Sequence, residues 1–333
     1  MNYHRKQFMT FIRSEIIGHG HYTPKKVLTN DDMAKMVETS DEWITTRTGI
    51  KARSIVENEL NSDLSYNAAK MALQTAGVSP EDIDLVVLAT VTPDYTTPAT
   101  AIKVSNMLGV KSGTPAFDIS AACSGFVYAL TLADNMIRLG QIKTALVIGS
   151  ETLSKIVDWT DRNTCVLFGD GAGAVVLRAK EGKGDASDTG VLATKIYSDG
   201  SHFDCLRTTG GVSATKNAGT VLMDGKEVFK YAIAALAQGA EEAMALAGIT
   251  TADIDHLLPH QANIRIIEGV GKKLELPEEK VIVNIANHGN TSAASIPLAL
   301  SEKISDGTIK KGQLVVLTSM GAGFTWGGVV VRI

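Results

Sequence analysis

The distribution of apolar and polar positions predicts strands and helices that alternate along the chain. Residues 85–89 and 145–150 are short, almost wholly apolar runs with the length and composition of buried strands. Residues 67–75 and 231–246 are longer, and in them alanine and larger apolar side chains recur at helical spacing. Buried strands that alternate with helices are typical of layered α/β proteins. The pattern therefore predicts an α/β fold.

An internal repeat divides the chain into two similar halves. Residues 76–84 return in similar form as residues 247–255, because position 77 corresponds to position 248, 171 residues later. Each copy follows a helical segment, 67–75 or 231–246, and precedes an apolar strand, 85–89 or 256–259. Two further pairs of similar segments keep the same order, 145–150 with 313–318 and 169–178 with 323–332. The repeat predicts two duplicated halves, residues 1–182 and 183–333, joined in the polar, glycine-rich segment 180–189.

Cys123 lies where a β-like run ends in small residues and a helical pattern begins. Apolar residues then recur at helical spacing through Phe126, Leu130 and Ile137, which predicts a strand, a sharp turn and a helix. A thiol at a helix start meets unpaired backbone N–H groups and the positive end of the helix dipole, which favour the thiolate. At this point two interpretations stay open, a nucleophile and a small buried cysteine that packs the junction.

Composition and charge exclude several classes of function. The chain has 32 basic and 36 acidic residues, a net charge of −4, so no overall field attracts nucleic acid or an anionic membrane. Its three cysteines, Cys123, Cys165 and Cys205, form neither a disulfide framework nor a metal-ligand pattern. The first eleven residues lack the apolar core of a signal peptide, and no apolar run reaches the length of a membrane span. We therefore expect a cytoplasmic protein.

Three further segments carry candidate chemistry. Residues 169–174 fit a loose dinucleotide fingerprint, but a β-like run follows them, so we expect no nicotinamide site. His260 directly follows an apolar strand, and Asn290 lies in a loop before a helix that corresponds roughly, in the repeat, to the Cys123 elbow. The duplication lets the Cys123 elbow and the Asn290 loop face one shared pocket, and the glycine-rich segment 319–326 offers backbone N–H groups for an oxyanion. Together they indicate acyl transfer through a cysteine.

The chain resembles the 3-oxoacyl-[acyl-carrier-protein] synthase III family of the thiolase-like superfamily. The matching segments are residues 39–49, 116–126, 168–174, 259–267, 288–295 and 323–327. They follow the family's order from about residue 12 to residue 333, and the first eleven residues resemble an extension outside the family core. The resemblance implies a five-layered α-β-α-β-α fold, a homodimer, and an acyltransferase that starts type II fatty-acid synthesis. It implies no metal or redox cofactor.

The resemblance also implies a role for each catalytic residue. Cys123 takes the acyl group from acyl-CoA as a thioester. His260 and Asn290 bind the thioester carbonyl of malonyl-carrier protein and stabilise the enolate formed by decarboxylation. The backbone N–H groups of Cys123 and Ala322 form the oxyanion hole of the acyl-enzyme. Ala322 stands where the family has glycine, and a positive φ there would suit alanine less well.

Substrate recognition is implied in the same way. Trp43 and Arg162 sandwich the adenine of CoA, Arg47 lies beside that site, and Asn263 contacts the pantetheine arm. The acidic acyl carrier protein docks on a basic patch near the pocket mouth. The residues implied in that patch are Lys230, Arg265, Lys272 and Lys273, for which a solvated helix face is the alternative.

Three residues are implied in the acyl pocket, namely Thr97, Phe168 and Met320. Acetyl-selective members carry a phenylalanine where Thr97 stands, and that side chain closes the pocket of the neighbouring subunit. A smaller residue leaves a longer channel, so we expect tolerance of primers longer than acetyl. Met320 replaces an aromatic residue, which changes the shape of the pocket.

Other functions remain as alternatives to the initiating synthase. One is a polyketide or quinolone starter condensing enzyme of the same superfamily, which would use another donor or acceptor. Another is a non-catalytic partner that binds carrier protein, although such subunits typically lack the nucleophile. A degradative thiolase is disfavoured because segment 320–325 lacks the second cysteine that such enzymes carry.

Overall fold

The computed structural model describes residues 11–333, so the proposed N-terminal extension lies almost wholly outside the described residues. Within that range the strands are β1 (Phe11–Tyr22), β2 (Lys26–Thr29), β3 (Ala52–Ile55), β4 (Leu85–Ala89), β5 (Ala116–Ile119), β6 (Thr144–Thr152), β7 (Asp170–Gly182), β8 (Gly190–Ser198), β9 (Leu206–Thr208), β10 (Val221–Met223), β11 (His256–Pro259), β12 (Leu314–Gly321) and β13 (Thr325–Arg332). The helices are α1 (Asn30–Ala34), α2 (Asp41–Thr48), α3 (Asn61–Ala76), α4 (Thr100–Leu108), α5 (Gly125–Arg138), α6 (Val212–Thr215), α7 (Gly225–Ala247), α8 (Ile264–Lys273), α9 (Ile285–His288) and α10 (Ser295–Ser305).

Two main sheets carry the duplicated pattern. The first has the order β1-β7-β6-β4-β5, and the second has the order β8-β13-β12-β11. In each, the strand that follows the repeated segment, β4 or β11, runs parallel to its neighbour β6 or β12, and the next strand, β7 or β13, is antiparallel. An isolated parallel bridge between Leu257 and Val281 stands where the first sheet has β5. The two sheets therefore share one plan.

Helices lie between the sheets and on both outer faces. Phe126 and Leu130 of α5 and Ile296 and Leu300 of α10 share one core with side chains from both sheets. Helices α3 and α4 cover the outer face of the first sheet, and α7 and α8 cover the outer face of the second. The order is helix, sheet, helix, sheet, helix. This confirms the predicted five-layered α/β fold.

Each half turns sharply from its sheet into the central helix layer. In the first half a 3-10 turn, Ala122–Ser124, leads into α5, and Ala122 has φ 47°. In the second half the turn Ser292–Ala294 leads into α10, and Ser292 has φ 48°. The two turns, which we call the first and second elbows, place Cys123 and Ala293 at equivalent positions.

Small residues join the two halves at this level. A Cβ on Gly149 of β6 would overlap the carbonyl oxygen of Ala293, and a Cβ on Gly125 would lie 3.5 Å from the Cβ of Ala293. The second elbow therefore packs directly on the backbone of the first half. This contact brings the two elbows side by side.

Candidate active site

One cavity of about 1410 Å³ contains the three predicted catalytic side chains. Cys123 reaches it from the first elbow, His260 from the end of β11, and Asn290 from the loop before the second elbow. The structure therefore brings together residues that are far apart in the sequence. The same cavity is lined by Trp43 at one end and by the segment 320–323 near the cysteine.

The first elbow is held in place by the second half of the chain. The hydroxyl of Ser124 donates to the carbonyl oxygen of Ala121 at 2.8 Å, and Ser319 at the end of β12 donates to the carbonyl oxygen of Cys123 at 2.7 Å. A Cβ on Gly321 would lie 2.6 Å from the backbone nitrogen of Cys123. Only glycine permits this close approach of β12 to Cys123.

The ionisation of Cys123 differs from the sequence-based expectation. Burial raises the pKa of its thiol to about 12, and the negative charge of Glu151 acts in the same direction. A hydrogen bond from Ser292 lowers the pKa by a smaller amount. The thiol is therefore the form present at neutral pH. The favourable helix start predicted from the sequence is outweighed by removal of the sulfur from water.

His260 is buried and uncharged. Burial lowers its pKa to about 3, so the imidazole is neutral at pH 7. Its Nδ1 lies 2.6 Å from the hydroxyl oxygen of Ser295, at the start of α10. Nε2 has no hydrogen-bond partner within residues 11–333, and the ring lines the cavity. The free ring nitrogen is thus available to a bound substrate.

Asn290 is fixed through its backbone and one end of its amide. Its N–H donates to the carbonyl oxygen of Leu167 at 2.8 Å, and its carbonyl accepts from the N–H of Gly169 at 3.0 Å. Its Oδ1 accepts from the backbone N–H of Ser292 at 2.8 Å. The Nδ2 group has no partner in the described part of the chain. The side chain therefore offers the cavity a hydrogen-bond donor.

The expected strain at Ala322 does not occur. Ala322 lines the cavity, but it is not among the non-glycine residues of positive φ within residues 11–333. The following residue, Gly323, adopts φ 138° instead. The loop places its unusual backbone conformation one position later than the sequence suggested, so alanine is unstrained at position 322.

The predicted CoA end of the site is an aromatic ring with two cations. Trp43 lines the cavity, and the guanidinium carbons of Arg47 and Arg162 lie 4.7 and 5.2 Å from its ring centroid. Neither arginine is among the lining residues. An adenine between Trp43 and Arg162 would require the two side chains to move apart, because the guanidinium carbon lies only 5.2 Å from the ring centroid.

Asn263 has structural contacts that the sequence did not indicate. It caps α8, because its Oδ1 accepts from the N–H of Arg265 at 2.9 Å. Its Nδ2 donates to the carbonyl oxygen of Arg47 at 2.9 Å. It lines the cavity, so it joins α2 and α8 at the position where it was expected to contact pantetheine.

The other predicted residues are distributed around the cavity. Phe168 and Met320 line it, whereas Thr97 is exposed in the loop before α4 and does not. The four residues of the predicted docking patch, Lys230, Arg265, Lys272 and Lys273, are exposed and do not line it. The guanidinium carbon of Arg265 lies 5.1 Å from the ring centroid of Phe229, which does line the cavity.

The sequence analysis missed two residues near Cys123. Glu151 is fully buried near the end of β6, and Ser292 forms the left-handed turn of the second elbow. A glutamate that continues the apolar run 145–150 was a signal for an enclosed carboxyl group. The repeat relates Ser292 to Ala122, next to Cys123, and this was the signal that could have found Ser292.

The described residues contain neither a membrane-spanning helix nor a metal-binding cluster. No helix between residues 11 and 333 is long and apolar enough to span a bilayer. The same part of the chain holds no group of three or more His, Cys, Asp or Glu side chains arranged to bind a metal ion.

Comparison with known proteins gives consistent matches. A family model described as 3-oxoacyl-[acyl-carrier-protein (ACP)] synthase III matches residues 117–200, and one described as its C terminal matches residues 244–333. The beta-ketoacyl-[acyl-carrier-protein] synthases III of Rhodospirillum centenum and Paramagnetospirillum magneticum are 58% and 56% identical to the chain over 322 residues, 96% of this chain and 99% of each relative. The crystal structure of 3-oxoacyl-[acyl-carrier-protein] synthase III from Aquifex aeolicus has a TM-score of 0.90 and 50% identity, and the match covers 96% of this chain and all of that one.

Proposed function

The chain belongs to the 3-oxoacyl-[acyl-carrier-protein] synthase III family, the acyltransferases that carry out the initiating condensation of fatty-acid synthesis, and we propose that it joins an acyl-CoA primer to malonyl-carrier protein through a thioester on Cys123. The observation that carries this proposal is the arrangement of one thiol and two uncharged hydrogen-bonding side chains, His260 and Asn290, around one cavity. The reaction class needs a nucleophile and oxyanion donors in that arrangement.

In the first half-reaction, the sulfur of Cys123 attacks the thioester carbonyl of the primer. The C–S bond to Cys123 forms, the C–S bond to CoA breaks, and CoA leaves as its thiolate. Backbone N–H groups of Cys123 and Ala322 would stabilise the oxyanion of the tetrahedral intermediate. The close contact of Gly321 with the elbow holds these two segments together.

In the second half-reaction, malonyl-carrier protein loses CO₂ and its enolate attacks the acyl group. Nε2–H of His260 and Nδ2–H of Asn290 would donate to the enolate oxygen. When the hydroxyl of Ser295 donates to Nδ1, the proton of the imidazole lies on Nε2, where donation requires it. A neutral imidazole suits this role, because it stabilises the enolate without delivering a proton to its carbon.

The proposal extends to partners and assembly. CoA would stack between Trp43 and Arg162 and lie along Asn263, and carrier protein would dock on the exposed basic residues around Arg265. We also propose a homodimer in the cytoplasm, in which Thr97 reaches the acyl pocket of the partner subunit. The two halves, divided near residue 182, would supply the nucleophile and the two donors, respectively.

Intact-mass spectrometry tests the reaction directly. The protein is mixed with acyl-CoAs of two to ten carbons and then with malonyl-carrier protein. We expect an added acyl mass on Cys123 that disappears with the extender, together with 3-oxoacyl-carrier protein. Stable acylation that is discharged by malonyl-CoA alone would support a polyketide-type starter enzyme instead. No acylation by any acyl-CoA would contradict the proposal.

The same series of acyl-CoAs, from two to ten carbons, tests which primer lengths the protein accepts. Because Thr97 is smaller than phenylalanine, we propose that chains longer than acetyl are accepted at rates comparable with acetyl. A Thr97→Phe variant serves as the matched control and should narrow the range toward acetyl. A sharp preference of the unmodified protein for acetyl-CoA would contradict this part.

Charge reversal tests the docking patch. Arg265→Glu should raise the KM for malonyl-carrier protein by about fivefold and leave acylation by acyl-CoA unchanged. Lys310→Glu makes the same change of charge near the start of β12, the end of that strand away from the cavity. Equal effects of the two variants would contradict docking at α8.

A further inference from the structure

A buried cation lies beside the loop that carries Asn290. Arg53 belongs to β3, and its solvent exposure is 0%. Burial lowers the pKa of its guanidinium to about 10, so the group still carries its charge at neutral pH. None of the ion pairs found within residues 11–333 includes it. Because a buried charge without a counterion is costly to a fold, the contacts that Arg53 does make indicate its task.

The guanidinium of Arg53 binds three uncharged oxygens. Nη2 donates to the carbonyl oxygen of Val166 at 2.8 Å and to Oδ1 of Asn30 at 2.9 Å. Nη1 donates to the carbonyl oxygen of Leu28 at 3.2 Å, and Nε has no partner in the described part of the chain. Val166 lies 113 residues beyond Arg53, whereas Leu28 and Asn30 precede it by 25 and 23. One planar group therefore joins segments that are far apart in the sequence.

The segment 166–169, which Arg53 holds through the carbonyl of its first residue, brackets Asn290. Both backbone groups of Asn290 are hydrogen-bonded to this segment, one to residue 167 and the other to Gly169. The stem of Arg53 packs alongside, because a Cβ on Gly169 would lie 3.1 Å from the Cβ of Arg53 and one on Gly289 would lie 3.4 Å from it. A shift of this segment would therefore shift Asn290.

On its other side, Arg53 reaches α2 through Asn30. Nδ2 of Asn30 donates to Oδ1 of Asp41 and to the carbonyl oxygen of Ile50, both at 2.8 Å. Asp41 is the first residue of α2, and Ile50 lies two residues beyond the last. One buried amide thus ties both ends of the helix that carries Trp43 and Arg47.

We propose that Arg53 is a positioning residue, which fixes Asn290 and, through Asn30, helix α2 relative to each other. This inference rests on the proposed function, in which α2 binds CoA and Asn290 donates to the enolate. Both thioesters have to meet the same sulfur in turn, so the two binding regions need a constant separation. A guanidinium suits this task, because its donors lie in one rigid plane. The hydrogen bonds of Arg53 and Asn30 include no residue of the first elbow, so the chemistry of acylation does not depend on them.

Arg53→Lys tests the proposal by separating binding from chemistry. Lysine keeps the charge and most of the stem, but one ammonium cannot reproduce the planar fork. Decarboxylation of malonyl-carrier protein without primer should fall by about tenfold, and the KM for acyl-CoA should rise by about fivefold. The rate of acyl-Cys123 formation at saturating acyl-CoA, measured by rapid-quench mass spectrometry, should stay within about twofold.

Arg13→Lys is the matched control. Arg13 is likewise buried and joins distant segments, because Nε donates to Oδ2 of Asp188 at 2.9 Å and Nη1 donates to the carbonyl oxygen of Leu192 at 2.9 Å. None of these residues lines the cavity. The control should lower the melting temperature as Arg53→Lys does and leave the three kinetic values unchanged. Equal kinetic effects of the two variants, or an equal loss in all three values for Arg53→Lys, would overturn the proposal.

Asn30→Ala decides the question if Arg53→Lys fails to fold. This variant keeps the hydrogen bond from Arg53 to Val166 and removes the donor to Asp41 and Ile50. The KM for acyl-CoA should rise by about fivefold while decarboxylation stays within about twofold. An unchanged KM would overturn the proposal. Failure of the unmodified enzyme to acylate would instead contradict the proposed function.

Discussion

At the scale of single residues, the reactivity of Cys123 is governed by burial. Its thiol has a pKa of about 12, and ionisation of Glu151 near pH 7 places a further negative charge beside it. We predict that alkylation of Cys123 by iodoacetamide rises by at most about tenfold per pH unit from pH 6 to 9 and reaches no plateau. Mass spectrometry of the alkylated peptide measures this, with the exposed thiol of free cysteine as the reference. A plateau below pH 7 would show a stabilised thiolate instead.

A second residue, His256, lowers the stability of the folded protein. Its side chain is buried in β11, and neither ring nitrogen has a hydrogen-bond partner within residues 11–333. Because an unpaired buried polar group costs about 1 kcal/mol or more, His256→Leu should raise the melting temperature by about 2 °C. His288→Leu is the control, since Nε2 of His288 lies 2.8 Å from Glu302, and there the melting temperature should fall. An unchanged or lower value for His256→Leu would contradict the prediction.

The sequence could predict that Cys123, His260 and Asn290 share one pocket, which the structure confirms, but not whether each is charged. Each follows a strand or precedes a helix in the sequence, and the repeat relates the loop of Asn290 to the elbow of Cys123. Their protonation depends on how completely other segments cover them, as Thr90, Thr92 and Ser292 do around Glu151. Those segments are distant in sequence, so desolvation could not be predicted.

At the scale of elements, β12 and the loop after it would position the proposed oxyanion donors. A Cβ on Gly321 would lie 2.6 Å from the backbone nitrogen of Cys123, whereas Ala322 already carries a Cβ without positive φ. We predict that Gly321→Ala lowers the acylation rate by about 100-fold, because it displaces one donor. Ala322→Gly should change the rate by less than about threefold. Single-turnover acylation measures both, and equal effects would contradict this assignment.

The bounds of several elements were predictable because their patterns are local. The strands predicted at residues 85–89 and 256–259 are β4 and β11, and the apolar spacing after Cys123 is the buried face of α5. In the loop after β12, the residue with positive φ is Gly323, one position later than the expected Ala322. Glycine tolerates a positive φ and alanine does so poorly, so local preference alone favours Gly323 over Ala322, and the expectation at position 322 came only from the family's pattern.

At the scale of the whole molecule, the site depends on how the two halves meet. A Cβ on Gly149 would overlap the backbone of Ala293, which cannot move without moving the second elbow. Gly149→Ala should therefore lower the melting temperature by more than about 5 °C and reduce condensation. Gly171→Ala in β7 is the control, because its Cβ would lie 3.0 Å from the flexible end of Leu298, which can rotate. Equal losses of melting temperature in the two variants would contradict a special role for the contact of Gly125 and Gly149 with Ala293, which we call the seam.

The duplication itself could be predicted from the sequence, because repeated segments keep their order along the chain. The seam could not be predicted, because it is formed by Gly125, Gly149 and Ala293, whose small size carries no periodic signal. Which strand packs against which helix of the central layer depends on how the side chains of all five layers fit together. A local sequence pattern does not contain that information.

The small residues of the seam also affect how the site responds to heat. Glycine and alanine have no side-chain rotamers, so their contact has no rotational disorder to gain as the temperature rises. If leucine or methionine formed the seam, their side chains would sample further rotamers on warming and the contact between the two halves would become less tight. The separation between the sulfur of Cys123 and the donors of His260 and Asn290 should therefore stay constant with warming until the fold itself melts, and an Arrhenius plot of condensation should be straight up to that temperature.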